Sequence, residues 1–306
     1  MSSITIKIGK AVISIKNKFL NFKRYLEYLK RKKTKEENFP ELIMKEWKKR
    51  GGEDFDIKKP VTYRQKIQWA EIYEKSALKT MLSDKYAVRS WIKEKIGEEY
   101  LIPLIGVFDD PNSIDFDNLP DKFVIKLNNS SGFNIIVKNK NDIDVAKIRK
   151  QLGKWMKIDF AFYKGFQPHY IGIVPKILIE EYMSDTKGEL RDFKFLCFNG
   201  EAKFCWVDIG RYANHCRNIY DLDWKLQPWR QVKPNYTGEV EKPAHFKEMI
   251  NIANTLCKGF SHVRVDLYNV DGKIYFGEMT FSNGGGHDRI IPPEYDRIIG
   301  DMWHIG

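Results

Sequence analysis

HVRVDLYNVDGKIYFGEMTF, residues 262–281, alternates apolar and polar side chains on both sides of the turn-forming pair Asp271-Gly272. Alternate residues of a β-strand share a face, so Val265 points to one side while Arg264 and Asp266 point to the other. The pattern predicts a β-hairpin that has one apolar face and one charged face.

The length of the turn decides which carboxylates of the hairpin share a face. A two-residue loop would pair Asp266 with Gly277 and would turn Glu278 away. Residues 269–272 better suit a type I turn followed by a left-handed glycine, which makes a three-residue loop and places Arg264 opposite Glu278. The predicted charged face then comprises Arg264, Asp266, Glu278 and Thr280.

Two interpretations of this charged face compete. A structural ion pair between Arg264 and Glu278 explains two of the groups, but it leaves Asp266 unpaired on a half-buried sheet, which is costly. A hard cation between Asp266 and Glu278 removes that cost. Because two carboxylates, phosphate and water together suit Mg²⁺, the sequence predicts a magnesium site here.

Phosphate-binding groups occur earlier in the chain. Lys126 ends an apolar strand and precedes the polar loop at residues 127–132, whose hydroxyl and backbone N–H groups can cover anionic oxygens. Lys85 lies at the start of a helix predicted from Ser83 or Asp84 and adds a second cation near a positive helix end. Each lysine alone is typical of a protein surface. The order of the two lysines relative to the hairpin is what indicates a phosphate-binding site.

The composition is that of a folded soluble protein. Of 306 residues, 42% are hydrophobic and 30% charged, and no apolar stretch is long enough to cross a membrane. The four cysteines are scattered, which predicts reduced thiols in a cytoplasmic protein. Helical periodicity alternates with short strand patterns, and the Asn199-Gly200 pair marks a second hairpin, so we expect a mixed α/β (α+β) fold.

The positive charge is concentrated in the N-terminal part of the chain. The net charge is +11, and residues 1–50 hold fifteen Lys or Arg and five Glu. Residues 8–35 predict a basic amphipathic helix, which either binds an anionic membrane or packs its apolar side on the body. A nucleic-acid partner is not expected, because such proteins carry their basic groups beside the binding site.

The order of the motifs resembles that of the ATP-grasp carboxylate–amine ligases. The residues within the motifs are most similar to those of the TupA-like ATP-grasp group, and the resemblance runs from about residue 63 to the end of the chain. The segments that carry it are KIQW at 66–69, SDKY at 83–86, FVIK at 123–126, IEEYM at 179–183, DFKFLCFNG at 192–200, and RVDLY at 264–268 followed by Glu278.

The resemblance implies a fold in which two α/β subdomains clamp a nucleotide cleft that binds ATP and Mg²⁺. The implied divisions are a basic helical segment at 1–60, a lead-in region at 61–120, an N-terminal lobe at 121–183 and a C-terminal lobe with the metal site at 184–306. The implied nucleotide contacts are Lys85, Lys126, Ser130, Ser131 and Gly132 for phosphates, Glu180, Glu181, Tyr182 and Met183 for adenine, and Asp192 for ribose. The implied metal ligands are Asp266 and Glu278, with Thr280 where the family often has Asn, or Asn283 in its place.

The resemblance further implies an ADP-forming ligase that makes an amide through an acyl phosphate, with Arg264 and Lys126 as catalytic residues. The implied substrates are an amine or amino acid and a carboxylate-bearing sugar or polymer of the bacterial cell surface, such as capsule or teichuronopeptide. The implied reaction would take place in the cytoplasm, at the inner face of the membrane. The candidate substrate contacts are Gly284, Gly285, Gly286, His287, Arg289 and Arg211.

Two other functions are compatible with parts of the sequence. A metal-dependent glycosyltransferase would need a DxD motif after a strand, and Asp221-Leu222-Asp223 lacks a clear strand before it. A non-catalytic binding protein with a degenerate ATP-grasp body is favoured only by Thr280. Stabilisation by ATP–Mg²⁺, by a UDP-sugar with Mn²⁺, or by neither distinguishes the three.

Overall fold

The computed structural model describes residues 22–163, 165–186, 188, 190–210 and 215–305. The helices are α1 (22–32), α2 (Phe39–Lys49), α3 (Tyr63–Tyr73), α4 (Ala77–Ser83), α5 (Val88–Lys95), α6 (Val145–Met156), α7 (Phe160–Tyr163), α8 (Phe246–Cys257) and α9 (Glu294–Asp301). The strands are β1 (Leu104–Phe108), β2 (Phe123–Leu127), β3 (Asn134–Val137), β4 (Ile177–Glu181), β5 (Asp192–Phe198), β6 (Glu201–Ile209), β7 (Cys216–Asp221), β8 (Arg230–Gln231), β9 (His262–Val270), β10 (Lys273–Thr280) and β11 (Ile290–Ile291).

The first sheet has the antiparallel order β1-β4-β2-β3. Its buried side chains, such as Phe123 and Ile125, pack with Leu152 of α6. Lys126 lies between the buried residues Ile125 and Leu127 in the alternation and therefore points to the other face of the sheet. The end of β2 therefore presents the Lys126 side chain outside this core.

The second sheet has the order β10-β9-β5-β6-β7. Helix α8 covers one face, where Met249 and Leu256 pack with Phe195 and Val265 in the largest core of the described chain. Helices α3 and α9 pack around Trp206 in a separate core. The mixed α/β fold predicted from the sequence is confirmed.

The turn between β9 and β10 differs from the prediction. Val270 pairs with Lys273, so the loop contains only Asp271 and Gly272, and both have left-handed φ values of 50° and 91°. These values suit the tight turn that matches the twist of the two strands. The predicted three-residue loop is therefore wrong.

A bulge at Gly277 nevertheless brings the charged groups to one face. The pairing shifts between Phe276 and Glu278, so Asp266 lies opposite Glu278 and Thr280 opposite Arg264. A bulge inserts one extra residue and resets the alternation of side chains. The predicted pairing of Arg264 with Glu278 is wrong, but the predicted shared face is found.

The helix predicted from Ser83 or Asp84 also begins elsewhere. Helix α4 ends at Ser83 and α5 begins at Val88, and Asp84 Oδ1 accepts the backbone N–H of Tyr86 and Ala87 in the turn between them. The turn arises because the carboxylate competes for N–H groups that would otherwise continue a helix. Lys85 therefore lies in a turn and is not at a helix N-terminus.

The basic N-terminal helix is described from residue 22, and residues 1–21 lie outside the described residues. Tyr28 and Arg31 of α1 are buried, and Arg31 Nε donates to Phe162 O at 2.8 Å. One side of α1 thus packs on the body, as one of the two predicted alternatives requires. No helix in the described ranges is long and apolar enough to span a bilayer.

Candidate active site

A row of charged side chains crosses the second sheet on the face opposite α8. The row is possible because its members on β5, β6, β9 and β10 alternate with core residues, such as Val265 between Arg264 and Asp266. Its members are Glu278 from β10, Arg264 and Asp266 from β9, Asp192 and Lys194 from β5, Asp208 from β6 and Arg217 from β7.

Arg264 connects the two carboxylates of the hairpin. Its Nε and Nη2 donate to Asp266 Oδ1 and Oδ2 at 2.6 and 2.7 Å, and Nη2 also donates to Glu278 Oε1 and Thr280 Oγ1, each at 3.1 Å. Burial alone would lower the pKa of Arg264, but Asp266 and Glu278 outweigh it and raise that pKa. The guanidinium therefore stays charged at the centre of the row.

Lys194 is a buried cation that the sequence reasoning missed. Its Nζ lies 2.7 Å from Asp266 Oδ2 and 2.9 Å from Asp192 Oδ2. Asp266 thus accepts from both Arg264 and Lys194, so the expectation that it would be unpaired without a metal is wrong. The signal available was the Asp192-Phe193-Lys194 alternation, which puts the lysine on the face of Asp192.

Lys85 links the polar loop of the first sheet to the hairpin of the second. Its Nζ donates to Ser130 O at 2.6 Å and lies 3.7 Å from Glu278 Oε2. Burial alone would raise the pKa of Glu278, but the cations Lys85 and Arg264 outweigh burial and lower that pKa to about 2. The polar loop and the charged row therefore meet across one cleft.

The polar loop has the features of an anion site. Ser130 is buried, and its hydroxyl has no hydrogen-bond partner among the described residues, whereas Ser131 and Gly132 are exposed. Gly132 has a φ of 81°, which glycine adopts without strain. The loop can therefore present a hydroxyl and backbone N–H groups to a ligand.

The end of β4 lies on the other side of the cleft from the hairpin. Glu180 is buried and pairs with Lys126 at 2.5 Å, and the Glu181 N–H donates to Pro103 O at 3.1 Å. Tyr182 and Met183 follow the strand and are half-buried. One narrow cavity between the sheets is lined by Lys85, Arg89, Lys126, Glu180, Phe276 and Gly277.

Arg89 lines this cavity and is a second cation that the sequence reasoning missed. Burial lowers its pKa, and Glu180 opposes that effect. It lies on α5. In the helix predicted from Ser83 or Asp84, Arg89 would lie four residues after Lys85 and so on the same side, which was the available signal.

The remaining candidates lie in or near the turn Asn283–Gly286. Arg264 Nη1 donates to Asn283 Oδ1, which ties the turn to the charged row. Gly284, Gly285 and Gly286 all have positive φ values, and His287 is half-buried beside Trp47. Arg289 is exposed, and its guanidinium approaches Gly51. Arg211 lies outside the described residues.

The DxD segment has a different environment from the one predicted. Asp221 is the last residue of β7, so a strand does precede the segment. Its Oδ1 accepts the backbone N–H groups of Asp223 and Lys225, which makes it a turn-forming carboxylate.

The TupA-like ATP-grasp family model matches residues 65–304. The chain belongs to this family. No curated protein matches the sequence.

Solved structures similar to this TupA-like ATP-grasp chain include D-alanine–D-alanine ligases and an L-amino acid ligase. The Bacillus anthracis D-alanine–D-alanine ligase has 16% identity over 73% of this chain and 64% of that chain, with a TM-score of 0.42. The Bacillus licheniformis L-amino acid ligase has 12% identity over 82% of this chain and 56% of that chain, with a TM-score of 0.44. The TupA-like chain spans less than two thirds of each of these structures.

Membership of the ATP-grasp family raises the question of whether the charged row fits Mg²⁺. Within the described ranges, no group of three or more His, Cys, Asp or Glu side chains could hold a metal ion. Asp266 and Glu278, however, lie opposite each other, and one nitrogen of Arg264 touches both. Two carboxylates close enough to share the guanidinium of Arg264 are also close enough to bind one Mg²⁺. Phosphate and water would supply the other ligands of the ion.

Proposed function

We propose that the protein is an ADP-forming ligase that couples ATP hydrolysis to the joining of a carboxylate and an amine. The observation that carries the proposal is the position of Lys85, which contacts both the polar loop at Ser130 and the carboxylate of Glu278. A triphosphate bound by Lys85 and the polar loop would therefore lie against the hairpin. Family membership supports the same reaction class.

The residues of the cleft have distinct roles in this proposal. Lys85 and Lys126 neutralise phosphate oxygens, and Ser130, Ser131 and Gly132 cover them from the loop. The last residues of β4 and those that follow, Glu180, Glu181, Tyr182 and Met183, hold the adenine, and Asp192 holds the ribose. The pairing of Glu180 with Lys126 supports this placement, because it joins the adenine end of the cleft to the phosphate end.

Phosphoryl transfer depends mainly on positioning and on stabilising charge. The substrate carboxylate attacks the γ-phosphoryl group and forms an acyl phosphate, which the amine then converts to the amide. Arg264 faces the developing negative charge, and its contacts with Asp266 hold the guanidinium in place. Asp266 and Glu278, with Thr280 or Asn283, would hold Mg²⁺, which neutralises phosphate oxygens when bound.

The proposed acceptor is a carboxylate on a sugar or polymer of the bacterial surface, made at the inner face of the cytoplasmic membrane. Gly284, Gly285 and Gly286 would let backbone N–H groups approach the acyl phosphate, and His287, Arg289 and Arg211 would contact the substrate. The link from the turn to Arg264 through Asn283 supports this position of the acceptor.

An anionic membrane is the proposed second partner, through α1 and the residues before it. Phe22, Tyr25 and Leu26 are exposed on α1, among Lys23 and Arg24. We name these three apolar residues the α1 patch. Exposed aromatic residues with flanking cations are typical of helices that lie in a lipid interface.

The test of the ligase proposal is ADP release from ATP–Mg²⁺ with a panel of uronates, glutamyl sugars and amino acids, with amide products identified by mass. We expect Glu278→Gln to lower ADP release by roughly 10²-fold or more. Glu278 is the better target because its side chain keeps 31% of its surface exposed, whereas Asp266 is buried between two cations. Glu201→Gln, an exposed carboxylate on the same sheet, is the matched control. Normal ADP release by Glu278→Gln would contradict the proposal.

A further inference from the structure

Lys194 is a buried cation to which the proposed mechanism gives no role. Its side chain is 7% exposed, and its Nζ lies 2.7 Å from Asp266 Oδ2 and 2.9 Å from Asp192 Oδ2. Asp208 Oδ2 lies 4.0 Å from the same nitrogen. Carboxylates from three strands thus converge on one ammonium group. Because uncompensated buried charge is costly, the three carboxylates depend on a cation in this position.

The register of the sheet places Lys194 directly beside the proposed metal ligands. Asp266 of β9 pairs with Glu278 of β10 on one side and with Lys194 of β5 on the other. Neighbouring strands lie about 4.8 Å apart, so the three side chains form one line across the sheet with Asp266 in the middle. Asp266 therefore has a carboxylate on one side and a cation on the other.

The two sides of Asp266 differ in how strongly their oxygens are already engaged. Asp266 Oδ2 accepts from Lys194 Nζ and from Arg264 Nη2, both at 2.7 Å. Glu278 Oε2, in contrast, lies 3.7 Å from Lys85 Nζ, which is beyond hydrogen-bond distance. A metal ion can therefore reach a carboxylate oxygen on the Glu278 side, next to the polar loop, whereas Lys194 holds the opposite side.

The charged row and Lys85 together hold as many cations as carboxylates. The carboxylates are Asp192, Asp208, Asp266 and Glu278, and the cations are Lys85, Lys194, Arg217 and Arg264. Free Mg²⁺ would have to separate existing ion pairs before it could bind here. Mg²⁺ that arrives with a nucleotide brings phosphate oxygens as ligands, so it needs fewer oxygens from the protein.

We propose that Lys194 occupies a position between Asp192 and Asp266 that a metal ion would otherwise take, so that the cleft binds a single Mg²⁺ and only together with nucleotide. The proposal deepens the proposed metal site at Asp266 and Glu278 and rests on it. Lys194 is a positioning residue, because it acts on the bound metal through the carboxylate of Asp266. Its ammonium group supplies the positive charge that holds the carboxylates of β5 and β9 together.

The test is titration of the full-length protein with Mn²⁺, whose unbound fraction is measured by electron paramagnetic resonance. Mn²⁺ is a suitable probe because it prefers the same oxygen ligands as Mg²⁺. We expect the nucleotide-free wild type to leave Mn²⁺ unbound, and the wild type with a non-hydrolysable ATP analogue to bind one ion per chain. Lys194→Ala should bind Mn²⁺ without nucleotide about ten-fold more tightly than the wild type or better, because the metal ion replaces the lost positive charge.

Two further variants control for loss of a lysine and for misfolding. Lys203→Ala removes a lysine of β6 that pairs with the exposed Glu201, and it should bind Mn²⁺ as the wild type does. Lys194→Gln removes the charge but keeps most of the length of the side chain. It should also gain Mn²⁺ binding, and it serves as the test variant if Lys194→Ala does not fold.

The outcomes that would overturn the role of Lys194 include two that need only the wild type. These are Mn²⁺ binding without nucleotide, and any number of bound ions other than one when the ATP analogue is present. The third is a folded Lys194 variant that binds Mn²⁺ no better than the wild type. Failure of the ligase proposal is seen separately, as the lack of acceptor-dependent ADP release by the wild type.

Discussion

At the scale of single residues, Glu71 links the stability of the fold to pH. Burial raises its pKa from an ordinary value of 4.5 to about 8, while Ser282 and Arg50 oppose this effect. Between these two pH values the folded chain keeps the proton and the unfolded chain releases it. The folded state then binds one proton more, so the free energy of unfolding falls as the pH rises.

We predict that Glu71→Gln removes this dependence. Relative to the variant, the wild-type protein should lose up to about 1.4 kcal/mol of unfolding free energy per pH unit between about pH 5.5 and 7.5. Urea unfolding of both proteins at several pH values measures the difference. Parallel pH profiles for the two proteins would contradict the assigned protonation, and Glu74→Gln serves as the control on the same helix end.

The alternation of side chains in the hairpin was enough to predict that Arg264 and Asp266 share a face. It could not predict that Lys194 also contacts Asp266, since that ion pair joins residues 72 positions apart. Pairing between distant strands is decided by the packing of the whole sheet, and no local pattern reports it. Glu71 was missed for a similar reason, because its burial depends on a turn more than 200 residues later.

At the scale of elements, two features of the β9–β10 hairpin that the sequence analysis did not predict, the shorter turn and the bulge, offset each other. The turn is one residue shorter than predicted, which alone would send Glu278 into the core face. The bulge at Gly277 restores the alternation and brings Glu278 opposite Asp266. A glycine inside a strand is a known sign of a bulge, and the sequence analysis did not use it.

We predict that Gly277→Ala weakens this element. A Cβ at position 277 would lie 3.0 Å from Asp266 O, a backbone atom with little freedom to move, so overpacking should cost about 1–3 kcal/mol of unfolding free energy. ADP release should fall as well, because Glu278 shifts relative to Asp266.

Gly153→Ala is the matched control for the glycine substitution. Gly153 lies within α6, and a Cβ there would meet no atom within 4 Å. Alanine favours a helix over glycine by up to about 1 kcal/mol, so this variant should be as stable as the wild type or more so. An unchanged unfolding curve for Gly277→Ala would show that the bulge tolerates a side chain.

At the scale of the whole molecule, the uneven charge divides the chain into a basic N-terminal part and a nearly neutral body. The positions of the charged residues predicted this division, and the periodicity of apolar residues predicted the mixed fold, since both signals are spread over many residues. The sequence could not decide whether the basic helix packs on the body or binds a membrane surface, because α1 has residues suited to each. Tyr28 and Arg31 are buried against the body, while the α1 patch is exposed.

This arrangement determines how membrane binding should be tested. Deletion of residues 1–35 would remove the buried contacts of Tyr28 and Arg31 together with the α1 patch, so it would confound stability with binding. Substitution of Phe22, Tyr25 and Leu26 by Ser leaves those contacts in place. We expect this triple variant to bind anionic vesicles several-fold more weakly than the wild type, because apolar area that enters the interface is lost.

Salt and a control substitution separate the two contributions to vesicle binding. Raising the ionic strength from about 0.1 M to 1 M shortens the screening length from about 10 Å to 3 Å, so binding of the wild type should weaken if the lysines face anionic lipid. Val174→Ser, which changes an apolar residue that is 70% exposed elsewhere on the body, should leave vesicle binding unchanged. If the triple variant and the wild type sediment equally with vesicles at low salt, the α1 patch has no part in membrane contact.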